Sequence, residues 1–154
     1  MSDLTVPANS ASANLQVIDS LSANEFVVEV DGQRVSGILR VSGLTSFKLE
    51  VKTTTSLKQL YDPFKVVKMV QRDPNLPINR WIQETIAAKA DIVRPTRALT
   101  VIAVDDGVET RRWTAHNAWI SEVSYSEFNT GSPELVEETL VIQHDGIEES
   151  WPGA

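Results

Sequence analysis

Cysteine is absent from the 154 residues, which excludes a disulfide framework, a thiolate metal site and a thiol nucleophile. The absence is consistent with synthesis in a reducing compartment. No apolar run approaches the roughly 18 residues that a membrane-crossing helix needs, and Met1 to Asn14 lacks the basic start and apolar centre of a secretory signal. Cytoplasmic synthesis is the default expectation. Basic residues are also few: 14 Lys and Arg stand against 21 Asp and Glu, a formal net charge of −7. Glu122, Glu127, Glu134, Glu137, Glu138, Asp145, Glu148 and Glu149 crowd the C-terminal third. Tight nucleic-acid binding gains affinity by neutralising phosphates with Lys and Arg. This chain repels a polyanion instead.

Histidine is scarce too. His116 and His144 are the only two, each on an expected strand and neither with a second ligand at metal-site spacing. Asp105-Asp106-Gly107 lacks the alternating oxygen ligands of a calcium loop and reads as a hairpin turn. Glu137 and Glu138 are neighbours on an expected strand and so point to opposite faces, which rules them out as a juxtaposed acid–base pair. There is no phosphate-binding glycine loop and no Gly-x-Ser-x-Gly elbow. Neither a catalytic residue, a cofactor site nor a metal site is expected.

What is present is β pattern. Residues 1–20 read as a flexible N-terminal arm and 21–154 as one domain. Phe26, Val28 and Val30 alternate with Val27 and Glu29, and Asp31-Gly32 supplies a tight turn. The return strand is expected over about Arg34 to Ser42, with Val35, Leu39 and Val41 on one face. Gly37 and Gly43 mark a bulge and the strand end. Phe47, Leu49 and Val51 alternate again before a polar run, Lys52 to Ser56. Phe64 to Val70 forms a further β run. The polar stretch between is either the tip of an exposed hairpin or a surface loop; spacing alone does not choose between an inter-subunit arm and a plain loop.

One helix is expected over 77–90. Pro77 suits the first turn, and Ile78, Trp81, Ile82, Thr85, Ile86 and Lys89 recur at helical spacing. A second hairpin runs from Leu99–Val104 through Asp105-Asp106-Gly107 into a long strand, Arg111 to Tyr125. On that strand Trp113, Ala115, Trp119, Val123 and Tyr125 share one parity, and Thr114, His116, Ala118 and Ile120 the other. Apolar or small groups on both faces call for cover on both sides, which a neighbouring subunit could supply to Trp113 and Trp119. A final strand, Leu135 to His144, ends at Asp145-Gly146.

The run from Arg112 to Glu149, RWTAHNAWISEVSYSEFNTGSPELVEETLVIQHDGIEE, resembles the inner tube proteins of contractile phage tails and phage-tail-like injection systems. The features that carry the likeness are Trp113, Asn117-Ala118-Trp119, Phe128, Glu134 with Glu138 and Leu140, and the corner His144-Asp145-Gly146. Phe26 to Leu44 is similar to that family's opening strands. The match is loose over about Leu57 to Asn79, where Arg72-Asp73-Pro74-Asn75 replaces the usual basic-glycine turn.

The resemblance implies a mainly β fold, a sandwich or barrel-like protomer with one flanking helix, similar to the type VI secretion tube protein. It further implies hexameric rings stacked into a conduit, with sheath, baseplate and tube-terminating proteins as partners and an effector or genome in the lumen. Assembly in the cytoplasm would precede incorporation into a virion or injection particle. Neither sequence-specific nucleic-acid binding nor membrane insertion is implied. The −7 charge leads to the expectation of an acidic bore. Strands near Thr100–Val104 and Leu135–Ile142, with Val101 and Val141, are expected as inter-subunit edges. The arm from Lys52 to Leu60, with Lys52, Thr54, Leu57 and Leu60, is expected to reach the next ring. The alternative is a monomeric β-barrel carrying a small apolar ligand among its four tryptophans. A hydrolase lacks any visible nucleophile–base pair.

Overall fold

Strand β1 (Phe26–Val30) buries Val28 and Val30 and turns at Asp31-Gly32 into β2 (Gln33–Val35). Both turn residues have positive φ, 49° and 80°, as a two-residue hairpin loop matched to strand twist requires. The computed structural model describes residues 25–152, so the expected arm over 1–20 lies outside the described residues.

The return strand is not continuous. Gly37, at φ 80°, redirects the chain after Val35, and β3 (Ile38–Ser42) pairs with β6 (Phe64–Met69) instead of β1. Leu39, expected on the face of Val35 and Val41, is exposed in consequence. Between β3 and β6 the chain makes a separate hairpin from β4 (Leu49–Thr53) and β5 (Ser56–Gln59).

Helix α1 (Pro77–Ala87) begins on proline at its first turn and buries Ile78, Trp81, Ile82 and Thr85. It stops three residues before the expected end, and Lys89, at φ 48°, adopts the left-handed conformation that terminates helices. Ile86 falls off the narrower stripe and is exposed. Trp81 lies at the centre of the core, its indole N–H donating to the Pro95 carbonyl at 2.9 Å.

β7 (Arg97–Asp105) turns at Asp106-Gly107 into β8 (Val108–Tyr125), followed by β9 (Glu137–Gln143) and β10 (Ile147–Ser150). The strand order is β2-β1-β7-β8-β9-β6-β3, with β10 also beside β8. The first half of β8 pairs with β7 and β10, its second half with β9. One long strand therefore belongs to both layers of a mainly β fold.

Two bulges allow this. Ala115 pairs with Leu99 but Ala118 with Arg97, and Ile120 pairs with Ile142 but Glu122 with Val141. Each step inserts one extra residue, which bends the strand and reverses side-chain parity. Ala115, then Ala118 and Ile120, then Val123 all reach the same core. The apparent two-faced character of β8 is thus largely one inward face, rephased twice.

Candidate assembly surfaces

The β4–β5 arm stands outside the core: every residue of both strands is exposed. Val51 pairs with Leu57 and Leu49 with Gln59, so Leu49, Val51 and Leu57 share one face of the ribbon, while Glu50, Lys52 and Lys58 share the other. Phe47, at the arm's root, is 66% exposed. An isolated two-stranded ribbon is marginal in water, and here no other element among the described residues buries its apolar face.

Its base is firmly held. Leu60 N–H donates to the Lys48 carbonyl at 2.9 Å, and the Lys48 ammonium pairs with Asp62 at 2.8 Å, closing the two legs together. His144 fixes the returning leg. Its Nε2 donates to the Asp62 carbonyl at 2.8 Å while its Nδ1 accepts the Gly146 N–H at 3.0 Å, and the ring packs beside Phe64 and Tyr61. The His-Asp-Gly corner seen in the sequence is the clamp that sets the arm's root. The outgoing leg is tied by Ser46, whose hydroxyl donates to the Glu149 carboxylate. Arg111 reaches the other oxygen of Glu149 at 2.6 Å and lies 4.4 Å from the Trp151 ring centroid. The Ser46 hydroxyl and then the Arg111 guanidinium hold the Glu149 carboxyl below its ordinary range, against the opposing effect of burial.

The residues expected between subunits fall into two groups. Lys52, Thr54, Leu57 and Leu60 come together on the arm and its turn, with Leu60 half-buried at the root. Val101 and Val141 do not lie at edges: β7 is flanked by β1 and β8, and β9 by β8 and β6. Their backbone groups are already paired, so the expected edge-to-edge joining through Thr100–Val104 and Leu135–Ile142 is corrected. Among the described strands of the large sheet, β2, β3 and β10 each have one paired neighbour. Trp113 packs against the core and beside Arg111, whereas Trp119 faces outward over a shallow groove with Ile92, Asn117 and Asp145. His116 sits at 3.0 Å from Glu148 on the surface.

Two features were missed in the sequence. The Ser46–Glu149–Arg111–Trp151 knot depends on β10, whose four residues carry no apolar alternation strong enough to announce a strand. The second is the connection between β8 and β9, residues 126–136. It forms a groove of about 460 Å³ in which Phe128 and Leu135 are 77% and 71% exposed, with Glu127 and Glu134 beside them. Its turn residues, Asn129 to Pro133, gave the break but not the exposed apolar pair.

The family model for the T4-like virus tail tube protein gp19 matches residues 22–148. The chain belongs to this tail tube family. Its fold is shared with the tube-containing structure of the PVC extracellular contractile injection system, a sheath–tube complex in the extended state. That match has a TM-score of 0.68 at 14% identity and covers 91% of this chain and 97% of the other. The tube-terminating cap of the anti-feeding prophage gives 0.67 at 15% identity, over 86% and 92%. Hcp1 from Flavobacterium johnsoniae gives 0.55 at 12%, over 82% and 95%. No curated protein matches the chain in sequence. As a tail tube protein the chain falls in a structural family. Among its described residues, no helix is long and apolar enough to cross a membrane.

Proposed function

We propose that this tail tube protein is the repeating subunit of the inner tube of a contractile particle, closing into hexameric rings that stack into a hollow conduit. Sheath contraction drives that conduit forward as a piston, and the subunit carries out no chemical step. Family membership over residues 22–148 is the observation that carries this reading. The exposed amphipathic arm supports it, because a ribbon with an apolar face in solvent is completed by a neighbour. Heterologous contacts that close give rings, and those that do not close give filaments. A stacked-ring tube uses both.

Lateral joining falls to edges that the topology leaves free, among β2, β3 and β10, in place of β7 and β9. The structural relatives include a sheath–tube complex, a baseplate and a sheath/tube terminator. Sheath, baseplate and terminating proteins are the corresponding partners proposed here, with an effector or genome as cargo and cytoplasmic assembly before incorporation into the particle. The net charge of −7 favours a bore that does not retain polyanionic cargo.

Negative-stain electron microscopy of the purified chain, with light scattering for mass, tests the proposal. Six-fold rings or stacked tubes with a central hole are expected. A monomer that also fails to polymerise with sheath and baseplate partners refutes it.

A further inference from the structure

Taking the tube reading as its basis, we propose that the β4–β5 arm of one protomer seats in the groove formed by residues 126–136 of the next protomer along the axis. Position, charge and apolarity each point to this pairing.

The two surfaces lie at opposite ends of the same sheet. Phe64 pairs with Ile142 where the arm joins β6, and Met69 pairs with Glu137 where the groove joins β9. A knob at one pole and a receptacle at the other make a heterologous contact that propagates along an axis instead of closing on itself.

The charges are complementary. With Lys48 paired to Asp62 at the root, the strands of the arm carry Lys52 and Lys58 against Glu50 alone, a basic projection on an acidic protein. Lys58 has no ion-pair partner among the described residues, and Lys52 has only Glu50 at 3.7 Å. The segment 126–136 carries Glu127 and Glu134 and no Lys or Arg. Neither glutamate is paired with a cation among the described residues, Glu127 accepting only from Asn129 at 3.3 Å.

The apolar faces match as well. Leu49, Val51 and Leu57 form one side of the ribbon; Phe128 and Leu135 are the exposed apolar side chains of the groove. The other exposed apolar loop, Ile92-Val93, fits the arm less well. Lys89 and Arg94 flank it and repel the arm's lysines. The apolar face of the arm covers Phe128 and Leu135, while Lys52 and Lys58 reach around its margins to Glu127 and Glu134.

A chain without native cysteine makes the test direct. The full-length protein carrying both Leu57→Cys and Leu135→Cys is assembled, oxidised and run without reductant. Both positions are exposed, so folding is preserved. A ladder of covalent multimers is expected from the doubly substituted chain, whereas either single substitution stops at dimers. Adding Lys52→Glu with Lys58→Glu is expected to cut the ladder about tenfold, since like charges then face each other. Further addition of Glu127→Lys with Glu134→Lys is expected to restore it. Tubes seen by electron microscopy without a ladder overturn the arm–groove pairing and leave the tube reading standing. A chain that forms neither tubes nor ladder overturns both.

Discussion

Lys68 and Glu138 face each other across β6 and β9 inside the sandwich, 2.8 Å apart, and the Lys68 ammonium also donates to the Met69 carbonyl at 2.8 Å. Both side chains are almost fully withdrawn from water. Removing one partner strands the other charge in a medium that cannot solvate it. Lys68→Ala is therefore expected to cost about 3–5 kcal/mol, while Lys68→Met with Glu138→Leu is expected to be neutral or stabilising. Urea unfolding followed by tryptophan fluorescence reads both, and a Lys68→Ala loss under about 1 kcal/mol contradicts the argument. Tyr125 is part of the same neighbourhood: burial, then its hydrogen bond to Glu138, raises its phenol pKa. Glu149 makes a different prediction. Its carboxyl is depressed in the folded state, so its stabilisation is complete above the ordinary carboxylate pKa of about 4.3 and disappears as pH falls through the lowered value. Glu149→Gln is expected to lower Tm at neutral pH, with the two Tm curves converging on acidification. Parallel curves would show that the carboxylate charge is irrelevant.

At the scale of elements, the arm and the core are nearly independent. Lys48 and Leu60 are already hydrogen-bonded across the arm's root, so a short turn can replace residues 49–59 without moving either leg. The shortened protein is expected to keep its Tm within about 2 °C, because the deleted strands bury nothing, and to lose stacked tubes. Differential scanning fluorimetry and electron microscopy check the two halves, and normal tubes from the shortened chain remove the arm from assembly. The same elements show what the sequence could reveal. Period-2 runs ending in Asp-Gly located β1, β2, β7 and the start of β8, because local turn chemistry and one buried face leave their mark in neighbouring residues. Helical spacing located α1. The arm's pattern contains no buried face, so in sequence a hairpin tip and a surface loop look the same there. The split of β2 from β3 turns on the sign of φ at Gly37, and β10 on a partner more than thirty residues away. Edge and interior strands look alike in sequence, because pairing order is a tertiary property. Val101 and Val141, on interior strands, therefore carry the same local pattern as edge residues, and nothing local marks Phe128 and Leu135 as exposed.

For the whole molecule, assembly and stability are linked. A ring or tube binds only folded subunits, so mass action draws the folding equilibrium toward the native state as concentration rises. The apparent Tm is expected to climb by about 2–4 °C per tenfold increase in protein concentration. A monomeric carrier barrel, the alternative considered from the sequence, would melt at the same temperature throughout. The positions of Trp81 in the core and Trp113 against it already take two of the four tryptophans away from any ligand cavity.

Two of the extra residues in β8, those near Asn117 and Ser121, carry a further consequence. In most strands, losing one amino acid behaves like a frameshift: everything downstream trades its inward side chains for outward ones. Near Asn117 and Ser121 the opposite holds, because each is already an insertion that its partner strand has absorbed. Excising either leaves the downstream phase intact and removes only the bend by which one strand passes from the first layer to the second. The chain can therefore lose a single residue at either of these points in its longest strand and keep the core's composition, changing the curvature of the protomer instead. In a subunit whose copies must close a ring, curvature is the quantity such small insertions and deletions would tune.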